Sequence, residues 1–481
     1  LIASVTVLSA LLAIPAAWFV SAFDFPGRRL FDWALVLPLA IPTYVAAFVY
    51  YQTNESAIPL LIRIRSNFGV DAFLAAESVI RYGTLSVALA AVLYPYLYLS
   101  ARASFTQQSS QLIEAAQTLG RGPWSIFRPV ALPLARPALA VGTSLIVMEV
   151  VNDYGAVHFF GVPTLTEGIF RTWFGLADRD SALRIASFVM LAVFAVLLLE
   201  QIQRGRARFA DSAKGSRPSR PRKLKGASAF AAIAFCSVPL ILGCLFPLVQ
   251  LLVWASQSWR GALSSDFLRH LFNSILLAAT TAALLTVVAL LFAYVRKLHS
   301  AKWLRSLSRM TALGYAAPGA VVAVGVMVAL GTLDQLIASA AWLPKVGLSG
   351  TLFAIGFAYM ARFLTVALQP VRAGMNQICS SLDEASRMLG RSKFETLYRI
   401  NLPLLRGTLC AAFTLVFVDI LKELPLTIIL RPANFETMAT TAFSLAQEGR
   451  IHECAVPSLV LLFTGGIGLA VINRLLKPIQ Q

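Results

Sequence analysis

Residues 114–139 read EAAQTLGRGPWSIFRPVALPLARPAL, and residues 384–409 read EASRMLGRSKFETLYRINLPLLRGTL. Ten of these 26 positions are identical at a constant offset of 270 residues, without a gap. A repeat of this density indicates that the chain consists of two homologous halves. In each copy a short helix is predicted to stop at a glycine, Gly120 or Gly390. A Leu-Pro pair is then predicted to break the following amphipathic stretch before the next apolar run.

The composition around this repeat is that of a membrane protein. Of the 481 residues 58% are hydrophobic and only 13% are charged, and the mean hydropathy is +0.72. A soluble domain is about 25% charged, so a water-soluble globule is excluded. Eleven apolar runs approach the ~20 residues that a membrane helix needs. They lie near residues 1–22, 33–52, 82–100, 138–152, 183–202, 228–255, 271–295, 310–333, 347–370, 407–430 and 455–473. The predicted fold is therefore an all-α polytopic membrane protein.

The basic residues give the orientation of these spans. One set of alternate loops holds 28 of the 41 Lys and Arg residues, and the other set holds ten. Because cytoplasmic loops carry the excess of Lys and Arg, the first set and the C-terminus are predicted to be cytoplasmic. These loops are 23–32, 101–137, 203–227, 296–309, 371–406 and 474–481. The net charge of +18 is thereby explained without a nucleic-acid partner.

The repeat and the charge pattern divide the chain into three parts. We expect a first half at residues 1–203, a basic cytoplasmic linker at 204–227 and a second half at 228–481. The second half contains six spans, whereas the counterpart of its first span would precede residue 1. We therefore expect two homologous six-helix halves, of which the first lacks its first helix in this sequence. Both repeat loops, 101–137 and 371–406, fall on the same side, so the duplication is parallel.

The repeated loop is interpreted as a docking element, since two equivalent protruding loops suit a partner with two equivalent binding sites. Two simpler interpretations stay open. Ser381 and Glu384 fit a capping box, in which Glu384 would only stabilise the start of a helix. The loop could also anchor the chain at the membrane interface.

The pattern E-A-A-x-x-x-G followed by Leu-Pro resembles the EAA loop of ABC importer permeases. The matching residues are Glu114, Ala115, Ala116 and Gly120 in the first copy and Glu384, Ala385 and Gly390 in the second. Ser386 departs from the pattern by one small residue. The resemblance implies that each loop is a coupling helix that inserts into a groove of an ATPase subunit. No P-loop motif occurs in the sequence, so we expect two copies of a separate cytoplasmic ATPase that binds ATP and Mg²⁺, and no cofactor in this chain.

Within these families, three stretches are similar to the ferric iron permeases. They are Asp24–Arg29, Asn152–Gly175 and Lys422–Thr440. The resemblance implies transport of ferric iron delivered by a periplasmic binding protein, with thiamine or another small solute as the alternative. The outer loops 153–182 and 431–454 are expected to receive the binding protein, which places the chain in a bacterial inner membrane.

Four acidic residues lie in or beside the spans at matching positions of the two halves. Glu149 and Asp153 recur 270 residues later as Asp419 and Glu423. A spacing of four residues would place each pair on one face of a helix. Acids in spans are functional candidates, and a hard cation prefers oxygen ligands, so these four are candidates for a substrate path without a tight metal site. Alternatively, the carboxylates are solvated at outer helix ends or pair with Lys422 or Arg431.

Two other classes of function compete with the importer. A gradient-driven secondary transporter would have broken helices around a midplane ion site and no docking loops. An integral membrane enzyme would need a catalytic motif, and no Ser–His–acid cluster or HExxH pattern is present. The five cysteines form no CxxC pair, so neither a disulfide framework nor a zinc site is indicated.

Overall fold

The computed structural model of this chain is built almost entirely from helices. It describes residues 1–107, 126–207, 221–262, 264–299, 314–339 and 347–476, together with 303–304, 307 and 311. Within these residues the only strands are Phe23–Asp24 and Arg222–Lys223, which pair in parallel. The predicted linker 204–227 is therefore helical up to Ala207 and paired to the first half near its other end.

Helices α1 to α8 belong to the first half. They are α1 Ile2–Ala22, α2 Arg28–Ala34, α3 Thr43–Gln52, α4 Ile58–Gln107, α5 Leu132–Asn152, α6 Gly155–Phe159, α7 Leu165–Phe170 and α8 Arg179–Ala207. The 3₁₀ turns Leu37–Ala40 and Thr53–Ala57 precede α3 and α4, and π-helical turns occupy Phe127–Ala131 and Arg171–Gly175. Helix α1 packs against α4 and α5.

Helices α9 to α19 follow the linker. They are α9 Ala227–Leu240, α10 Phe246–Ala262, α11 Ser265–Leu298, α12 Gly319–Ser339, α13 Leu352–Gln377, α14 Ser380–Met388, α15 Lys393–Thr396, α16 Leu402–Leu421, α17 Pro425–Leu430, α18 Met438–Gln447 and α19 Ala455–Leu476. Two π-helical turns, Ile241–Leu245 and Leu397–Asn401, join neighbouring helices. Helices α11, α13 and α16 pack on one another, and α19 packs on α16.

The chain forms two compact units. The first comprises Leu1–Gly168 and Phe188–Ser256, and the second comprises Ile169–Ser187 and Gln257–Gln481. In the first unit Trp18 contacts the rings of Phe105 and Phe127 at centroid distances of 5.4 Å and 5.2 Å. This aromatic cluster fixes α1 to the C-terminal end of α4 and to the turn that precedes α5.

The all-α polytopic fold is confirmed. Ten helical segments among the described residues are long and apolar enough to cross a membrane, and every predicted run overlaps one of them. The predicted runs 33–52 and 82–100 fall in a single segment, Thr43–Thr106. They merge because a 3₁₀ turn joins α3 directly to α4, where the sequence suggested a polar loop. Helix α4 is itself interrupted within that predicted loop, at Gly69, whose φ of +87° is not helical.

The predicted breaks at the Leu-Pro pairs are wrong. In both halves a π-helical turn leads straight into the span that carries Pro133 or Pro403. Proline lacks a backbone N–H and therefore interrupts the regular α-helical hydrogen bonding, and the π-helical turn lies directly before each Leu-Pro pair. Each loop is thus joined to its span by continuous helix.

Candidate functional site

The second repeat loop folds as a short helix, a tight turn and a second helix. Helix α14 ends at Met388, and Gly390 follows with a φ of +72°. The N–H of Arg391 donates to the carbonyl of Ser386 at 3.1 Å, which closes the turn. The glycine stop predicted at Gly390 is therefore present, because an L side chain is strained at this backbone conformation.

Replacing Gly390 by Ala is expected to lower the free energy of unfolding by about 1–2 kcal/mol, the cost of a left-handed non-glycine residue. Thermal unfolding of the purified chain in detergent measures the change. Gly407→Ala is the matched control, since Gly407 lies in α16 with no positive φ and open space around it. A Gly390 variant as stable as the Gly407 variant would contradict the assignment.

Three large apolar side chains are exposed on the outer surface of this loop. Met388 is 89% exposed, Leu389 80% and Phe394 74%. Glu384 and Ala385 are also exposed on α14. Exposed apolar side chains clustered on one loop are typical of a protein–protein contact. We call Met388, Leu389 and Phe394 the apolar tip.

The inner surface of the same loop is polar and buried. Asp383 is 5% exposed and Ser386 is 4% exposed. The Ser386 hydroxyl lies 2.8 Å from that of Thr396, so the residue that departs from the EAA pattern links α14 to α15. The corresponding residues of the first copy, Ala116 and Ile126, cannot make this hydrogen bond.

The capping box expected at Ser381 and Glu384 does not form. The N-cap of α14 is Cys379, which makes no side-chain cap hydrogen bond. The box lies further along, where Ser392 and Glu395 exchange hydrogen bonds of 3.2 Å and 3.1 Å at the start of α15. Glu384 is therefore not explained as a helix cap.

Of the first repeat loop, 101–137, the structure describes residues 101–107 and 126–137. Its candidate residues Glu114, Ala115, Ala116 and Gly120 lie outside the described residues. Ile126 is described, and it directly precedes the π-helical turn that leads into α5.

The four candidate acids do not share helix faces as predicted. Helix α5 ends at Asn152, and Asp153 is its extended C-cap residue. Helix α16 ends at Leu421, so Glu423 also lies beyond a helix end. In both halves, therefore, one acid of each pair lies within a helix and the other lies just beyond the end of that helix.

Glu423 is buried and paired. Its Oε1 lies 2.9 Å from Nη1 of Arg362 and accepts a 3.1 Å hydrogen bond from the N–H of Leu426 at the start of α17. The exposed fraction of both charged side chains is 7%. Sequence reasoning missed Arg362, although a lone cation inside an apolar span calls for a counter-ion.

Asp153 holds the equivalent place in the first half with different partners. Its Oδ1 accepts a 2.8 Å hydrogen bond from the N–H of Ala156 at the start of α6. The Thr43 hydroxyl also donates to this carboxylate. Within the part of the chain that the structure describes, no Lys or Arg pairs with Asp153. Burial without a cation raises the pKa of Asp153 above its ordinary value.

Asp153→Asn is expected to change the pH dependence of stability. Because its folded pKa is raised, Asp153 contributes stability at acid pH that is lost as the pH rises through that pKa. The variant amide has no proton to lose, so the variant should match the parent at about pH 4 and melt at a higher temperature at about pH 8. Asp178→Asn is the control of opposite sign, since hydrogen bonds from Ser181 lower the pKa of Asp178. Parallel melting curves for the parent and Asp153→Asn at both pH values would contradict this prediction.

The other two acids are half-buried on their helices. Glu149 accepts a long hydrogen bond of 3.5 Å from the Tyr96 hydroxyl. Asp419 forms an ion pair with Lys422 at 3.0 Å, as the alternative interpretation expected. No group of three or more His, Cys, Asp or Glu residues suited to a metal ion occurs among the described residues.

Comparison with known proteins places these features in a family. The profile described as "Binding-protein-dependent transport system inner membrane component" matches twice, at residues 9–203 and 286–479. The chain belongs to this family. The double match confirms the internal repeat and the ABC importer resemblance. It also excludes the secondary-transporter and enzyme alternatives, because members are non-enzymatic permeases whose ATPase is a separate subunit.

The names of this permease's relatives specify different transported substrates. One is the "Fe(3+)-transport system permease protein FbpB 2" of Haemophilus influenzae, 25% identical over 95% of this chain and 85% of that protein. A second, the "Putative ferric transport system permease protein FbpB 1" of the same organism, is 25% identical over 73% of this chain and 57% of that protein. The "Molybdenum transport system permease protein ModB" of Escherichia coli K12 is 26% identical over 39% of this chain and 82% of that protein.

The family also gives the setting in which this permease acts. It is a multi-pass inner-membrane component that works with a periplasmic binding protein and an ATPase. The exposed loop and the buried carboxylates are therefore features of a transport protein.

Proposed function

We propose that this permease imports ferric iron. The observation that carries the proposal is the extent of the relatives: those named for ferric iron match 95% and 73% of the chain, whereas the molybdenum permease matches 39%. A match across both halves includes the fused arrangement itself. Iron is therefore favoured over molybdenum, sulfate and 2-aminoethylphosphonate, which other relatives carry in their names.

Two copies of an ATPase subunit are proposed to dock on the two repeat loops. In the second loop the apolar tip surrounds the turn at Gly390 and presents a contact surface of the required kind. Glu384, Ala385 and Gly390 would belong to that surface, and Glu114, Ala115, Ala116 and Gly120 to its counterpart. This arrangement requires both loops and the C-terminus to be cytoplasmic, as the basic residues predict.

The binding protein is proposed to dock on the opposite side, at the outer loops. In the second unit a cleft of about 760 Å³ is lined in part by Arg269, His270 and Arg431 of these loops and their neighbouring helices. Glu436, which also lines the cleft, is paired with Arg431. A docking partner would therefore meet an ion-paired surface.

The substrate path is proposed to involve Glu149 and Asp419. Both are half-buried on helices at repeat-equivalent positions, and Asp419 holds its ion pair with Lys422 there. Asp153 and Glu423 instead cap the next short helix of their own half. Iron would pass weakly held, because tight coordination would prevent release. The double variant Glu149→Gln/Asp419→Asn is expected to lower iron uptake while the protein remains folded.

Uptake by proteoliposomes tests the cargo. The permease, co-purified with its ATPase, is supplied with ATP and with the binding protein loaded with radiolabelled ferric iron. Uptake should require ATP and should resist excess molybdate. Molybdate uptake in the absence of iron uptake would replace the proposed cargo and leave the permease assignment intact.

A further inference from the structure

The second repeat loop is joined to helix α11 by a buried polar network. Nζ of Lys297 lies 2.6 Å from Oδ2 of Asp383, and Nδ2 of Asn401 donates to Oδ1 of the same carboxylate at 3.1 Å. Lys297 also donates to Oδ1 of Asn401 at 3.4 Å, which closes the network. The exposed fractions of Asp383 and Asn401 are 5% and 0%, and that of the Lys297 side chain is 17%, so water screens these contacts only weakly.

Further contacts reinforce the junction. The Tyr294 hydroxyl of α11 donates to the carbonyl of Lys393 in the loop at 2.5 Å. Its ring belongs to a buried apolar cluster with Met375, Leu397 and Leu405. Helices α11, α13 and α16 and the π-helical turn therefore meet at the base of the loop.

We propose that Lys297, Asp383 and Asn401 form a rigid joint that passes motion of the loop to α11; this rests on the proposed docking of the ATPase on that loop. A buried ion pair has one favourable geometry, because displacing either partner leaves a charge without compensation. An apolar contact is non-directional and permits sliding. The joint is thus suited to move α11 together with α14.

The joint is specific to the second half. At the positions 270 residues before Asp383 and Asn401 stand Ile113 and Ala131, which can hold neither a charge nor a side-chain hydrogen bond. The first half instead packs the Trp18 ring against Phe127. The first copy therefore lacks the side chains from which this joint is built.

The experiment compares transport with ATP hydrolysis in proteoliposomes of the whole complex. Asp383→Asn is expected to reduce substrate transported per ATP about tenfold, within the usual range of coupling between sites. The triple variant Lys297→Met/Asp383→Ile/Asn401→Ala leaves no buried charge and should show the same loss. Lys297→Arg keeps the charge and should retain most of the ratio.

Matched controls separate motion from folding. Glu77→Gln removes a half-exposed ion pair with Arg81 in α4 and should leave the ratio unchanged. A triple variant with the parental ratio would overturn the proposal. Failure of the triple variant to assemble would also overturn it, because the joint is given a role in motion and not in folding. If the Asp383→Asn variant no longer bound the ATPase, the result would contradict the joint. If changes in the apolar tip left ATPase binding unaltered, the result would contradict the docking proposal instead.

Discussion

Replacing Arg362 by Met is expected to lower the free energy of unfolding by about 3–5 kcal/mol, because Glu423 would stay buried without its partner. The 2.9 Å contact between Arg362 and Glu423 lies between α13 and the break after α16. Unfolding in mixed micelles of dodecyl sulfate and a mild detergent measures the change. A loss of this size exceeds the one expected at Gly390, because an unpaired buried charge costs more than a strained backbone conformation.

A second substitution tests the same pair from the opposite side. A Cβ atom on Gly319 would lie 2.1 Å from Nη1 of Arg362, so Gly319→Ala must displace the guanidinium. It should destabilise the protein as well, though less than Arg362→Met. The double variant Arg362→Met/Glu423→Leu should recover most of the loss, since no charge is then buried. Equal stability of Arg362→Met and the parent would show that the pair does not hold α13 to the break.

Replacing Leu389 by Glu is expected to weaken binding of the ATPase about 30-fold or more, the usual effect of changing an interface hot spot. Leu389 is 80% exposed beside Met388, so the chain itself loses no packing when a charge is placed there. Co-purification of the ATPase with tagged permease, followed by titration with purified ATPase, measures the effect. Transport should fall in parallel.

The control for Leu389→Glu is the same change on the opposite face. Leu176 is 67% exposed in the loop before α8. The distribution of basic residues predicts that this loop lies on the periplasmic side of the membrane. Leu176→Glu should leave ATPase binding unchanged. If both variants or neither variant lost the ATPase, the apolar tip would not be its docking surface.

Local signals explain why the repeat loop was predictable. A helix-stopping glycine and its fixed spacing to Leu-Pro can be recognised from the sequence alone. In the structure Gly390 lies at such a helix stop. The Arg362–Glu423 pair was not predictable in this way, because its partners are 61 residues apart in sequence. The joint at Lys297 was missed for the same reason.

The misplaced acids show a second limit. A spacing of four residues predicts one face only while the helix continues, and α16 ends at Leu421. A signal was present, since proline is favoured at the first position of a helix and α17 begins at Pro425. The match between Asp153 and Glu423 nevertheless survives as a shared role, that of capping the helix after each break.

The buried charges have a consequence for how such a protein is assembled. Arg362 and Asp383 stand where the first copy has Val92 and Ile113, so the duplicated segments have ceased to be interchangeable. A dimer of identical subunits could not combine two different halves. Two different subunits from separate genes would have to be expressed in equal amounts. Covalent fusion guarantees one specialised copy of each kind in every transporter, and it allows later mutations to accumulate on one side alone.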